Sequence, residues 1–226
     1  MMQQAQEGTA AVDGAMARLA AEAGGELSPE TLAVLQEVDH RVKNNLQLIA
    51  SLILLQSRRA PDPAARDALK SVLERVAAVT TVHRRLFQGD VHRFEVADFL
   101  RDLVGDLAAT AGRDGIEIAL TLEPMQIPAS SAAPFALIVN ELLTNALKHA
   151  FPQGRRGRVS LQLAREADTC VLTLLDDGVG LSDAPPGFGL SLVRLLCQQL
   201  HADLKFEGPV PGTRVTLRTP LSRIGA

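Results

Sequence analysis

Two long amphipathic segments, separated by a short turn rich in proline, constrain the fold of the first part of the chain. "SPE" at residues 28–30 marks a helix start, with Ser28 as the cap and Pro29 in the first turn. Apolar side chains then recur at helical spacing, at Leu32, Leu35, Val38, Val42, Leu46, Ile49 and Ile53. "APDP" ends this segment, and Asp62 can cap a second helix from Pro63. The pattern predicts an antiparallel helical hairpin over residues 29–89, which a second copy would complete as a four-helix bundle.

The rest of the chain predicts a different architecture. Residues 1–28, rich in alanine, glycine and glutamate, are expected to form a tail or a short helix. After residue 90, helical patterns at 96–111, 134–150 and 187–200 alternate with strand patterns at 115–123, 157–177 and 202–220. This order predicts an α+β fold with helices on one face of a mixed sheet. We therefore expect a second domain over residues 90–226.

Composition excludes several classes of protein. A formal charge of −3 and a pI near 6.0 do not supply the basic surface that nucleic-acid binding needs. Cys170 and Cys197 are too far apart in sequence for a CxxC pair, so we expect neither a disulfide framework nor a zinc site, and a reducing cytoplasmic location fits best. The apolar run near residues 46–55 is shorter than the ~20 residues of a membrane span. We expect a soluble protein without nucleic-acid or membrane partners.

His40 lies on the polar side of the first predicted helix. At about 100° per residue, the apolar positions fall roughly 160° to 240° away from it, whereas Glu37, Lys43 and Asn44 lie beside it. An exposed imidazole is largely neutral near pH 7 and offers a ring-nitrogen lone pair, which a nucleophile requires. The alternative is an ordinary solvated surface histidine.

Three polar residues share one face of the helix predicted at 134–150. Glu141, Asn145 and Lys148 fall within about 60° of one another. The amide oxygen can hold Mg²⁺, lysine can neutralise phosphate charge, and the carboxylate can orient or deprotonate a nucleophile. The alternative is a solvated helix face. We refer to these three residues as the polar strip.

Two glycine-rich turns follow in the same domain. In "LLDDGVGL" a buried strand runs into Asp176, which can accept a hydrogen bond from an exocyclic amine such as that of adenine, and then into Gly178 and Gly180. "PPGFGLSLV" places Gly187 and Gly189 at a helix start, where free N–H groups favour phosphate. An ordinary Asp-Asp-Gly turn is the alternative for the first of them.

Four motifs in this order resemble those of a known family. "HRVKNNLQ", "NELLTNALKHAF", "DDGVGL" and "GFGLSLVRLL" are similar to the H, N, G1 and G2 boxes of bacterial sensor histidine kinases, of the HRVKNNLQ type related to the HWE kinases. The resemblance covers roughly residues 30–220. It implies a dimerisation and phosphoacceptor hairpin followed by a catalytic ATP-binding domain of the gyrase/Hsp90/kinase/MutL (Bergerat) type.

The resemblance also implies roles for individual residues. His40 matches the phosphoacceptor, and Asn44 lies where related kinases keep a residue that assists dephosphorylation of the partner. Glu141 and Asn145 match the N-box pair, with Asn145 as the Mg²⁺ ligand and Lys148 near phosphate. Asp176 matches the aspartate that binds adenine, followed by Gly178 and Gly180. Gly187 and Gly189 match the glycines beside the ATP lid.

Three departures from the family pattern affect these expectations. Arg41 follows His40 where many histidine kinases have an acid, which leaves the general base open among Glu37, Asp39 and Glu141. The segment "LSDAPP" at 181–186 is short for an ATP lid. No sensor domain precedes the hairpin, so we expect either a separate sensor protein or a catalytic core detached from its sensor.

The expected function is that of an ATP-dependent protein-histidine kinase in a two-component system. It would autophosphorylate His40 and pass the phosphoryl group to an aspartate of a response-regulator receiver domain, acting as a homodimer with ATP and Mg²⁺. Three alternatives are a histidine phosphotransfer protein that does not use ATP, a regulator that only docks partners through the hairpin, and an ATPase without phosphotransfer.

Overall fold

A computed structural model describes residues 29–88, 93–111, 115–180, 187–208 and 211–221. The predicted tail at 1–28, the cap Ser28 and the short segment 181–186 lie outside these ranges. The described residues divide into two compact units, one ending at Asn45 and one beginning at Leu46. This division falls within the first helix, and the domain boundary predicted near residue 90 remains a prediction.

Two long helices form the first part of the chain. Helix α1 is Pro29–Arg59 and helix α2 is Pro63–Gln88. Asp62 caps α2 as predicted, because the backbone N–H groups of Ala64 and Ala65 donate to its carboxylate oxygens at 3.2 Å each. Among the helices of the described ranges, none combines the length and apolarity that a bilayer crossing demands.

The second unit contains a mixed five-stranded sheet. Its strands are β2 Ile116–Leu122, β4 Gly157–Glu166, β5 Thr169–Asp176, β6 Asp203–Glu207 and β7 Thr213–Pro220. They are ordered β2-β4-β5-β7-β6. The β2–β4 pair is parallel, and the other three pairs are antiparallel. A separate antiparallel pair, β1 Arg93–Glu95 with β3 Gln126–Pro128, was not predicted.

Three helices accompany this sheet: α3 Val96–Ala111, α4 Ala129–His149 and α5 Phe188–Gln199. Each contacts a strand, α3 contacting β2, α4 contacting β5 and α5 contacting β6. The α+β class is therefore confirmed. Helix α4 begins at Ala129, five residues before the Pro134 at which the sequence predicts its start. The added turn buries Ser131 and Ala132, and Pro134 is tolerated close to the helix start.

Burial on α4 explains how the polar strip is positioned. Ile138, Val139, Leu142 and Leu143 are almost fully buried in the hydrophobic core, together with alternate residues of β4 such as Val159. These four apolar residues of α4 fall on one side of the helix at about 3.6 residues per turn, and their position in the core fixes the direction of the other side chains. The core therefore determines where Glu141, Asn145 and Lys148 project.

Candidate active site

The predicted phosphoacceptor is exposed. His40 and Asn44, one turn apart on α1, both lie at the surface of the unit that ends at Asn45. Arg41 Nε donates to Glu37 Oε1 at 2.7 Å, and both side chains are mostly exposed. Arg41, the residue that departs from the family pattern, is therefore paired with Glu37, one of the three candidates for the general base. The side chain of Asp39, another candidate, lies outside the described residues.

Glu141, the third candidate base, is buried in an ion pair. Arg75 of α2 donates from Nε to Glu141 Oε1 at 2.8 Å and from Nη2 to Oε2 at 2.9 Å. The two side chains are only 13% and 6% exposed. Such a two-pronged pair between an arginine and a carboxylate is among the stronger polar contacts in proteins. A solvated helix face is therefore excluded at Glu141, whose two oxygens are both engaged by the guanidinium.

The other two members of the polar strip are more accessible. Lys148 is exposed, and its Nζ donates to both carboxylate oxygens of Glu74 on α2, at 3.0 and 3.2 Å. Asn145 is partly buried. The predicted strip thus exists on α4, and α2 supplies opposite charges to both of its ionic members.

Asp176 ends β5 with its carboxylate buried. The N–H of Gly178 donates to Oδ1 at 2.9 Å, and Thr213 contributes hydrogen bonds from its backbone and its hydroxyl. Burial raises the pKa of Asp176 above its ordinary value; the hydrogen bonds from Gly178 and Thr213 oppose this rise, and the charge of Asp177 adds to it. A buried acceptor at a strand end can recognise an exocyclic amine.

The first glycine turn depends on close backbone packing. A β-carbon at Gly178 would lie 2.4 Å from the carbonyl oxygen of Ala150, so no larger residue fits without moving the backbone. Gly180 has φ of +87°, a conformation that favours glycine. The N–H of Val179 donates to Ala150 O at 3.0 Å, which joins this turn to the end of α4.

The second glycine pair lies at the start of α5. Gly187 is exposed, with no atom of the described residues within 4 Å of a β-carbon built there. A β-carbon at Gly189 would lie 2.4 Å from Glu141 Oε2. The two glycines therefore differ: Gly189 is required for packing against the polar strip, whereas Gly187 is not constrained by space.

Three contributors to this site were missed in the sequence. Thr213 bonds Asp176, and a β-carbon at the preceding Gly212, with φ of +111°, would lie 1.8 Å from the carbonyl oxygen of Asp176. The "GT" pair between two strand patterns was the available signal. Arg75, 66 residues from Glu141, had no local signal in an amphipathic helix.

The donor set is compatible with Mg²⁺ held largely by phosphate. Within the described ranges no three His, Cys, Asp or Glu side chains cluster as a metal site. Mg²⁺ in nucleotide sites needs only one or two protein ligands because phosphate oxygens and water complete its shell. The partly buried amide of Asn145 fits this limited requirement.

Comparisons with known proteins identify both parts of the chain. Residues 37–111 match the family described as histidine kinase, and residues 131–223 match the histidine kinase-, DNA gyrase B- and HSP90-like ATPase family. Sensor histidine kinase PdtaS of Mycobacterium tuberculosis is 33% identical over 85% of this chain and 40% of its own length. Blue-light-activated histidine kinase 2 of Erythrobacter litoralis is 32% identical over 84% of this chain and 57% of its own length. The chain thus spans only part of these relatives.

Solved structures agree with these matches. The histidine kinase domain of the Erythrobacter litoralis EL346 blue-light activated histidine kinase has a TM-score of 0.65 and 29% identity, covering 84% of this chain and 91% of that domain. The region that matches histidine kinases is therefore followed along this chain by the region that matches the ATPase family. The chain belongs to the sensor histidine kinases, as a catalytic core of the HRVKNNLQ type, related to the HWE kinases, with a gyrase/Hsp90-like ATPase domain.

Proposed function

We propose that this chain is the catalytic core of an ATP-dependent protein-histidine kinase. A ring nitrogen of His40 attacks the γ-phosphorus of ATP, a nitrogen–phosphorus bond forms, the bond to the β,γ-bridging oxygen breaks, and ADP leaves. The imidazole proton passes to a carboxylate or to water. The phosphoryl group then moves to an aspartate of a response-regulator receiver domain, in a two-component system or phosphorelay.

One observation carries the proposal: the same chain has an exposed histidine and a buried aspartate that can accept a hydrogen bond from the exocyclic amine of adenine. His40 lies at the surface within the region that matches histidine kinases. Asp176 lies buried within the region that matches the ATPase family. A phosphotransfer protein that does not use ATP needs only the histidine, so the intact Asp176 turn favours the kinase.

Within the ATPase domain we assign separate roles to the nucleotide-facing residues. Asp176 accepts from the adenine amine, and the turns with Gly178, Gly180, Gly187 and Gly189 allow close approach of the backbone. Lys148 neutralises phosphate charge. Asn145 would hold Mg²⁺, which supplies charge stabilisation to the phosphates when bound. Catalysis by such a site is chiefly positioning and electrostatic stabilisation.

We also propose that a second copy covers the exposed apolar side chains of α1. Leu48, Leu52 and Leu55 recur at intervals of four and three residues and are all exposed, as is Ile49. A helical stripe of this kind is typical of a bundle interface. The homodimer and the cytoplasmic location both remain predictions.

Labelling with γ-labelled ATP tests the proposed phosphoacceptor. His40→Ala should abolish acid-labile labelling while ATP binding survives, because the imidazole is the acceptor and not part of the nucleotide site. Asp176→Ala and Asn145→Ala should lose both binding and labelling. His201→Asn, which removes another exposed imidazole at a position with φ of +50°, is the matched control and should label normally.

Two outcomes would contradict the assignment. Acid-labile label on the His40→Ala protein would place the phosphoryl group elsewhere. Steady ATP hydrolysis unaffected by His40→Ala, without any label on the wild-type protein, would identify an ATPase. Adding purified receiver domains to labelled protein tests the second transfer, which should move the label to the receiver and convert it to an acyl phosphate.

A further inference from the structure

Two consecutive residues of α2 bind the two charged members of the polar strip. Glu74 accepts from Lys148, and Arg75 donates to Glu141. Positions 141 and 148 are separated by about two turns along α4, so the adjacent α2 residues reach opposite ends of the strip. Charge is matched at both contacts, with an acid against the lysine and a cation against the carboxylate.

The contact at Lys148 involves a chemical group similar to a nucleotide phosphate. The Glu74 carboxylate is an oxyanion that engages the ammonium through both oxygens, at 3.2 and 3.0 Å. Lysine binds carboxylate and phosphate alike, as a compact point charge with three donors. A phosphate that approaches Lys148 must therefore displace Glu74 or share the ammonium with it.

The contact at Glu141 anchors α2 in this position. The guanidinium of Arg75 engages both carboxylate oxygens in a largely buried pair. The ring of Phe188, at the start of α5, lies over that guanidinium, with its centroid 5.1 Å from the central carbon. A cation over an aromatic face is attracted to it. Arg75 thus joins α2 to both helices that carry nucleotide-site residues.

The adjoining flank of α4 contains polar groups that lack hydrogen bonds. Within the described part of the chain, Asn140 Nδ2 and Thr144 Oγ1 are buried without partners. Thr144 lies one turn before Lys148, about 40° from it around the helix. Burying polar groups without hydrogen-bond partners costs free energy, and water would supply the missing hydrogen bonds if this flank became accessible. These two groups therefore favour a packing of α2 against α4 that can separate and expose this flank to water.

We propose, on the basis of the phosphate role proposed above for Lys148, that Glu74 is an intramolecular competitor of nucleotide phosphate. Arg75 anchors α2 against α4, and Glu74 occupies the ammonium of Lys148. Nucleotide phosphate binds fully only when Glu74 is displaced. The contact between α2 and α4 is therefore autoinhibitory, and any input that moves α2 changes the affinity for ATP.

Affinity measurements on a charge-neutral variant test this competition. Glu74→Gln removes the tethered anion at a partly exposed site, so Mg-ATP should bind about two- to fivefold more tightly at low ionic strength, as expected for loss of one surface ion pair. Adenosine, which has no phosphate, should bind with unchanged affinity. Asp67→Asn is the matched control, because Asp67 is exposed on α2 and pairs with Lys70.

The controls separate failure of this inference from failure of the proposed function. If Glu74→Gln leaves ATP affinity unchanged or weakens it, or if Asp67→Asn gives an equal gain, Glu74 is not a competitor. Lys148→Met should weaken ATP binding but not adenosine binding. If Lys148→Met has no effect on ATP affinity, the proposed phosphate role of Lys148 is wrong. If it weakens ATP binding and Glu74→Gln does not tighten it, only the competition is overturned.

Discussion

Gly189 lies directly against the carboxylate of Glu141, although 48 positions separate the two in sequence. A β-carbon at position 189 would lie 2.4 Å from Glu141 Oε2 and 3.7 Å from Arg75 Nη2. The start of α5 therefore packs onto the ion pair that joins α2 to α4. This packing depends on the lack of a side chain at position 189, and a methyl group there would push the carboxylate away from the guanidinium.

Gly189→Ala should therefore lower stability. Alanine in a helix ordinarily improves stability by about 1 kcal/mol over glycine. Here the methyl group meets a carboxylate held by two hydrogen bonds, and overpacking of this kind costs about 1–3 kcal/mol. We expect a lower midpoint in chemical denaturation. Gly187→Ser, at the N-cap of α5 where a β-carbon has open space and serine is a preferred cap, is the control and should not lower stability; an equal loss in both variants would contradict the packing explanation.

Asp176→Asn should change the pH dependence of stability. Burial raises the pKa of Asp176, so the folded protein holds this proton more tightly than the unfolded chain does. The stability that this carboxyl contributes is complete below its ordinary pKa and is lost as pH rises through the raised value. The free energy of unfolding of the wild type, relative to Asp176→Asn, should therefore fall with rising pH across the acid range. Urea titrations at several pH values measure this slope, and a rising or flat difference would contradict it.

Leu52→Lys should weaken self-association. Leu52 is exposed on α1 between Leu48 and Leu55, and a charged ammonium in a bundle interface would lose hydration without a partner. We expect sedimentation to report a monomer where the wild type is a dimer. Leu195→Lys is the matched control, because Leu195 is at least as exposed as Leu52 but lies on α5, and it should leave the dimer intact. Dissociation by both variants would point to a non-specific effect.

The two cysteines should resist modification in the folded protein. Burial raises the pKa of Cys170 to about 12 and that of Cys197 to about 11, the latter with a contribution from the charge of Asp203. Both thiols therefore stay protonated at pH 8, where only the thiolate reacts. A thiol-specific reagent should label neither until denaturant unfolds the chain, and rapid labelling of the native protein would contradict this burial.

The same thiols also predict a loss of stability at alkaline pH. Because both folded pKa values are raised, the stability linked to the thiol protons is complete below the ordinary cysteine pKa and is lost as pH rises toward about 11 to 12. Cys170→Ala removes one of the two groups and should reduce this alkaline loss. Denaturation at pH 8 and pH 10 measures the difference, and an unchanged alkaline loss would contradict the linkage.

Much of the local structure could be read from residue patterns alone. The start of α1 at Pro29, the capping of α2 by Asp62 and the exact span of α3 follow from proline chemistry, a carboxylate at a helix start and apolar periodicity. The exposure of His40 follows from the same periodicity, because the apolar face of α1 lies opposite to it. These features depend on residues within a few positions of one another.

The short β1–β3 pair and the early start of α4 were beyond such patterns. The β1–β3 pair is only three residues long on each side, too short for alternation to be visible. Helix α4 extends back to Ala129 because tertiary packing buries Ser131 and Ala132, which overrides the preference of Pro134 for a helix start. Periodicity indicates the secondary structure that one segment prefers, and tertiary packing can extend a helix beyond that segment.

By itself, the sequence determined the order of the motifs, the helices that carry them and the side of each helix on which His40, Glu141, Asn145 and Lys148 lie. Only the tertiary structure decided which residues those side chains contact. Helical periodicity specifies a direction around an axis, whereas an ion pair such as Arg75–Glu141 or Glu74–Lys148 requires two distant segments to pack at one distance and angle. The burial of one strip residue and the accessibility of another therefore come from long-range packing, and not from local pattern.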